Sequence, residues 1–279
     1  IQHSCSDALH AAWRQAYDRT SQRISAYLAE LDRVAAIFRK EGISLVALKN
    51  AGIARGIFPH HGAVPMGDID VLVESVHFRR AHQVLLAEGY HFEFRSALED
   101  LALDSAESNG GAEYWLTLPD GQNMWLELQW RPVAGRWIRP DQEPLAEELM
   151  ARSIPIPGTH VRLLAPEDNL LQVALHTAKH SYVRAPGFRL HLDVERIVRH
   201  YPDLDWDLFV RRVEALQVRT AVYFSLLIPR DLFGTPIPDK MLARLRPRPW
   251  KERLLTPVSY THLRAHETVL DLVCRLLLE

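Results

Sequence analysis

Residues 67–73 read GDIDVLV, a short apolar run with two carboxylates set into it at alternate positions. Side chains at i and i+2 of an extended strand share a face, so Asp68 and Asp70 point one way while Ile69, Val71 and Val73 point the other. Held side by side, two carboxylates repel unless a cation neutralises them. Ligands that are all oxygen suit Mg²⁺, or Mn²⁺ in its place. Two strand-end aspartates facing water show the same spacing, so both readings stay open at this point.

Outward from this strand the period changes. Upstream, ISLVALK (43–49) is a second strand-like run, and before it residues 7–41 carry Leu9, Trp13, Ile24, Leu31, Val34 and Phe38 at helical spacing. Gly42, behind a basic last turn of Arg39 and Lys40, ends that helix. Downstream, 75–89 reads as a helix with Val76, Ala81, Val84 and Leu85 turned inward, and YHFEFRS (90–96) as a strand. Leu101 to Gly111, acidic and glycine-containing, reads as a mobile loop. EYWLTLP (113–119) and MWLELQW (124–130) bracket Asp120-Gly121, a strong hairpin signal. From Pro166, with Glu167 and Asp168 in the first turn, the pattern stays helical to about Leu245. This order predicts an α+β fold, a mixed β-sheet core flanked by helices and followed by a helical C-terminal domain. The expected bounds are 1–42 for N-terminal helices, 43–164 for the core and 165–257 for the helical domain.

Further chemistry sits on these elements. Glu127 shares its strand face with Trp125 and Gln129, while Leu126 and Leu128 face oppositely. A carboxylate in an apolar strand is costly unless paired or coordinated. Beside the Asp68–Asp70 strand it makes a third carboxylate, enough to hold two metals for in-line phosphoryl transfer. As an edge-strand residue it would instead pair with an arginine such as Arg131. In LKNAG (48–52), Lys49 is a mobile point charge suited to phosphate. Asn50 and Gly52 stand where a turn or a new helix aims backbone N–H groups at a triphosphate, although a strand-end lysine is commonly just solvated. His176 and His180, at i and i+4, share a helix face and, with His191 nearby, have zinc-binding potential. Thr177 stands where the HExxH motif of a zinc protease has its glutamate, and the other reading is an interface pair bonded to Asp193 or Glu195.

The 279 residues, 47% hydrophobic and 24% charged with a formal net charge of −2, exclude disorder, a collagen-like repeat and a coiled coil. That balance gives no general reason to expect a polyanion partner, and RLRPRPWKER (244–253) reads as a solvated edge or linker. No apolar run approaches the roughly 20 residues of a bilayer-spanning helix, so no membrane association is expected. Cys5 and Cys274 make no disulfide framework, which points to a reducing, cytoplasmic compartment. The chain opens at Ile1 with neither an initiator Met nor a leader, and reads as a fragment. VSYTHLRAHET (258–268) resembles a translated sequencing adapter, and Asp271 to Leu278 fits a second constant adapter segment in the same frame. Residues 258–279 are therefore set aside as a non-native tail.

Taken in order, LKNAGIARGIFP, GDIDVLV, WLELQW, PEDNLLQVALHTAKH and FRLHLDVERIV resemble the uncharacterised nucleotidyltransferase family of the DNA-polymerase-β-like superfamily. The resemblance spans residues 25 to 235 or so. It implies an enzyme that moves a nucleoside monophosphate from an NTP to an acceptor hydroxyl and releases pyrophosphate. It implies Asp68, Asp70 and Glu127 as catalytic carboxylates holding Mg²⁺ or Mn²⁺, with Lys49, Asn50, Gly52, Gly67 and Arg189 as nucleotide contacts. The acceptor stays open among a protein, a small molecule and an RNA. The chain departs from the family at two places. Asn50 follows Lys49 where the family usually has glycine, and Val64 stands where it tends to place an arginine. A catalytically degenerate nucleotide- or partner-binding module is the alternative that these departures favour.

Overall fold

The computed structural model describes residues 7–96, 101–133, 138–181 and 189–261. Cys5, Cys274 and the adapter-like stretch beyond residue 261 lie outside them. Helix α1 (Asp7–Lys40) opens on an acid and closes on Arg39 and Lys40, which suits the helix dipole. Gly42, at φ +74°, supplies the left-handed turn behind it. Ile24, Leu31, Val34 and Phe38 of α1 are buried, whereas Leu9 and Trp13 are exposed. Each large apolar side chain fully removed from water contributes about 1.5–3 kcal/mol.

The chain continues through β1 (Leu45–Ala47), α2 (Lys49–Gly56), β2 (Asp68–Leu72), α3 (Phe78–Ala87), β3 (His91–Phe92) and α4 (Leu103–Asn109). The hairpin β4 (Gly111–Thr117) and β5 (Asn123–Gln129) follows, then α5 (Ala146–Arg152), β6 (Ile154–Pro155) and β7 (Val161–Leu163). Gly121, at φ +80°, makes the hairpin turn, and the Asp120 carboxylate accepts the N–H of Gln122. The remainder is helical: α6 (Pro166–Ser181), α7 (Arg189–His200), α8 (Trp206–Ala215), α9 (Arg219–Phe233), α10 (Asp239–Leu245) and α11 (Pro249–Thr261).

The strands form one mixed sheet in the order β3-β4-β5-β2-β1-β7-β6. The β2–β5 and β1–β7 pairs are parallel and the other pairs antiparallel. The fold is thus α+β, with helices packed on the sheet and more helices after it. Ile69, Val71, Leu126 and Leu128 join side chains of α1 and α3 in the large apolar core. On the opposite sheet face, Val46 and Leu72 pack with Ala146, Leu149 and Met150 of α5 in a second, smaller cluster. That cover ends short of Asp68, Glu113, Trp125 and Glu127, which keep part of their surface in solvent.

Four expectations need correction. Leu101 to Gly111 is not a mobile loop but contains α4, whose Ala106 is buried and whose end turns at Gly110, at φ +94°. Arg79 of α3 holds it from outside, 2.6 Å from Asp104 and 2.5 Å from Glu107. Val76 lies 78% exposed in a short 3₁₀ turn ahead of α3 and does not face inward. The strand expected over 90–96 pairs only at His91–Phe92, since the chain leaves β4 soon afterwards. Glu127 lies on an inner strand rather than an edge, and the Arg131 guanidinium is taken by buried Glu143 instead.

Candidate active site

Register places the carboxylates. Parallel pairing of β2 with β5 sets Asp70 opposite Glu127 and Asp68 opposite Trp125. One oxygen from each of Asp68, Asp70 and Glu127 lies within 4.8 Å of the others, the only such group of potential metal ligands among the described residues. Three hard oxygen donors at this separation fit a divalent cation such as Mg²⁺ or Mn²⁺.

A family model described as an uncharacterised nucleotidyltransferase matches residues 1–234. The chain belongs to that family. No curated protein matches it.

Within this nucleotidyltransferase fold, Lys49 reaches into the carboxylate group rather than out toward solvent. Its Nζ lies 2.5 Å from Asp70 Oδ1 and 3.3 Å from Glu127 Oε2. Burial opposes the Lys49 charge, but Asp70 and Glu127 outweigh it and hold the pKa above the usual lysine value. Burial lifts Asp70 above the carboxylate range despite Lys49, with Asp68 and Glu127 adding to the rise. Burial also acts against ionised Glu127, yet Lys49 and a hydrogen bond with Asp70 hold it below that range. Asp70 and Glu127 are thus pushed in opposite directions while both contact the Lys49 ammonium.

Local backbone geometry makes this reach possible. Lys49 has φ +49°, a left-handed conformation that costs a non-glycine residue about 1–2 kcal/mol. The conformation turns β1 directly into α2, and Leu48 N–H donates to the Asp70 carbonyl at 3.0 Å, tying the turn to β2. Leu48 is the N-cap of α2 and offers no side-chain cap, so the first-turn amides of Lys49, Asn50 and Ala51 lack an intrahelical partner. Gly52 differs from expectation: its N–H donates to the Leu48 carbonyl at 3.1 Å and is not aimed at a ligand. A Cβ there would lie 2.8 Å from the Ala47 carbonyl oxygen, so glycine is what lets α2 seat against β1. Asn50 is buried in the first turn, and Gly67 has open space around it immediately before Asp68.

Arg189 sits at the start of α7, and its Nη1 donates to the Pro65 carbonyl at 3.1 Å. Arg196, two turns further along the same helix face, donates to the Ala63 carbonyl at 2.7 Å. Together they hold the segment that delivers Asp68. Val64 between those carbonyls is 1% exposed and packs in the large apolar core.

The histidines do not build a second centre among the described residues. His176 and His180 lie with ring centroids 4.5 Å apart. Burial, then Lys49 and His180, pushes the His176 pKa well below the usual value, which keeps it neutral. Asp193, expected as a histidine partner, pairs with Arg196 at 2.9 Å, and Glu195 pairs with Arg199 and Thr235.

Two cations escaped the sequence reading. Arg95 contacts Asp68, its Nη1 standing 2.6 Å from Oδ2. Lys179 of α6 donates to the Val133 carbonyl at 3.3 Å and is close enough to Lys49 and Glu127 to feel both charges. Lys179 stands at i+3 from His176 in the quoted HTAKH stretch, a spacing that signals a shared helix face. No spacing in the sequence signals Arg95.

Proposed function

We propose that this protein transfers a nucleoside monophosphate from an NTP to an acceptor hydroxyl. The acceptor oxygen forms a bond to the α-phosphorus, the bond from that phosphorus to the β-phosphate bridge breaks, and pyrophosphate leaves. The observation that carries this reading is the convergence of Asp68, Asp70 and Glu127 across two paired strands in a chain of the nucleotidyltransferase family. A divalent cation held there would brace the phosphates and lower the charge barrier to attack. Asp68 and Asp70 would hold it against the triphosphate, and Glu127 would complete the ligand set. Glu127, next to Asp70 across the β2–β5 register, would also help activate the acceptor hydroxyl. Lys49 would exchange carboxylate for phosphate as the nucleotide enters, and the uncapped first turn of α2 would favour the same anion. Among the described residues no helix is long and apolar enough to cross a membrane.

Titration of Mg²⁺ or Mn²⁺ with each NTP tests the reading, using the wild type and Asp70→Asn with residues 258–279 removed. Cation-dependent NTP binding that disappears in the variant is the expected result. Equal binding by both proteins, or none by either, would sink it. Cation-independent nucleotide binding without pyrophosphate release would favour the binding-module alternative, for which the buried Val64 speaks.

A further inference from the structure

Arg95 stands just past β3, and its guanidinium spans two carboxylates on the open sheet face. Nη1 lies 2.6 Å from Asp68 Oδ2. Nε and Nη2 donate to Glu113 at 3.1 Å each, and the Arg95 backbone N–H donates to the same carboxylate at 2.8 Å. The guanidinium carbon lies 5.5 Å from the centre of the Trp125 ring, and Trp125 is the residue opposite Asp68 in the β2–β5 register. Two of these anchors, Glu113 and Trp125, are independent of Asp68. The contact with Asp68 is the one a divalent cation displaces, because both cations need the same carboxylate and repel each other across it. The Arg95 side chain is 39% exposed, so its head has room to turn.

We infer that Arg95 works in two positions. With no divalent cation bound it neutralises Asp68. Once Asp68 turns to a cation, Arg95 stays tethered by Glu113 and Trp125 and takes a phosphate oxygen of the incoming nucleotide. A guanidinium fork suits that contact better than any other side chain. The inference rests on the nucleotidyl-transfer reading and assigns to Arg95 the positive charge that Val64 does not provide.

The test is a pair of affinities for wild type, Arg95→Ala and Arg95→Lys. Mn²⁺ alone is titrated by electron paramagnetic resonance, and a non-hydrolysable NTP analogue is titrated at saturating Mn²⁺ by calorimetry. Arg95→Ala is expected to bind Mn²⁺ about twofold to fivefold more tightly, the worth of a part-exposed ion pair. The same variant is expected to bind the nucleotide about tenfold or more weakly, the loss of a charge-assisted contact. Arg95→Lys, which keeps the charge without the fork, falls between on both readouts. Mn²⁺ affinity that is unchanged or weaker in Arg95→Ala overturns the inference, as does nucleotide affinity equal to wild type. A wild type that binds neither Mn²⁺ nor nucleotide removes the nucleotidyl-transfer reading and this inference together, whereas absence of the opposed changes alone removes only the inference.

Discussion

Two knots of buried charge in this molecule are made from the same residue types and arranged in opposite ways. At the head of α6, the fully buried Asp168 carboxylate lies between Arg152 of α5 at 2.8 Å and Arg212 of α8 at 2.9 Å. Each arginine also meets a glutamate, Glu148 at 3.6 Å and Glu167 at 4.0 Å. Positive groups stand between the negative ones, and the knot ties three helices. On β2 and β5 the carboxylates of Asp68, Asp70 and Glu127 stand next to one another, with Lys49 and Arg95 gathered from the flanks. Burial of charge is common to both. What distinguishes the second is juxtaposed like charge, a repulsion that the proposed divalent cation would relieve.

Substitutions that treat the two knots alike should give opposite results. Asp70→Asn is expected to lower nucleotidyl transfer about 1,000-fold or more, the equivalent of several kcal/mol of lost charge stabilisation, in a radiolabelled NTP assay. Its thermal unfolding should change by no more than about 1 kcal/mol, because the carboxylate repulsion it relieves offsets the weakened Lys49 contact. Asp168→Asn should do the reverse. Two guanidiniums lose their shared partner, costing about 3 kcal/mol in a denaturant titration, while cation-dependent nucleotide binding below the transition stays as in wild type. Equal stability losses in the two variants would erase the distinction.

Gly52→Ala probes how the carboxylate site depends on the seat of α2. The added methyl meets the Ala47 carbonyl, and an expected loss of about 1–3 kcal/mol should come with weaker nucleotide binding, since Lys49 moves with the helix. His191 separates burial from pairing, being 1% exposed with its Nδ1 buried and without a hydrogen bond among the described residues. Burial pushes its pKa down from 6.5 to about 4, so the unfolded chain binds the extra proton first. The stability held by neutral His191 is present above the unfolded value and is lost as pH falls toward the folded one. Between about pH 6.5 and pH 5 this amounts to about 1.5 kcal/mol, and His191→Gln should flatten that slope in urea titrations.

The parts legible in the sequence are those with a local period. Asp68 and Asp70 share a face because strands repeat every second residue, and the Asp120-Gly121 turn fixes the hairpin that carries Glu127. The α+β order follows from the same periods. What the sequence hides depends on distant partners. β7 is only Val161–Leu163, too short for a pattern, and is a strand because β1 lies alongside it. The segment 101–111 has the acids and glycines of a loop, yet 103–109 becomes α4 with Arg79 as a counter-charge and the Trp130 indole donating to the Glu107 carbonyl. Lys49 has the look of a solvated strand end, because nothing in LKNAG reports the left-handed backbone that turns it inward. Arg95 is hidden for another reason. Its neighbours, Asp68 and Glu113, lie on strands that only the folded sheet brings together.

The large apolar core does not stop at residue 234, where the family match ends. Ile237, Met241, Leu242, Leu245 and Leu255 are buried in the same continuous cluster as Ile24 and Phe38 of α1. A boundary drawn by common descent therefore cuts through one continuous apolar core. A chain trimmed to the shared segment would leave α8 and α9 with greasy, vacated seats, and would melt earlier and aggregate sooner even with each carboxylate of the site in place.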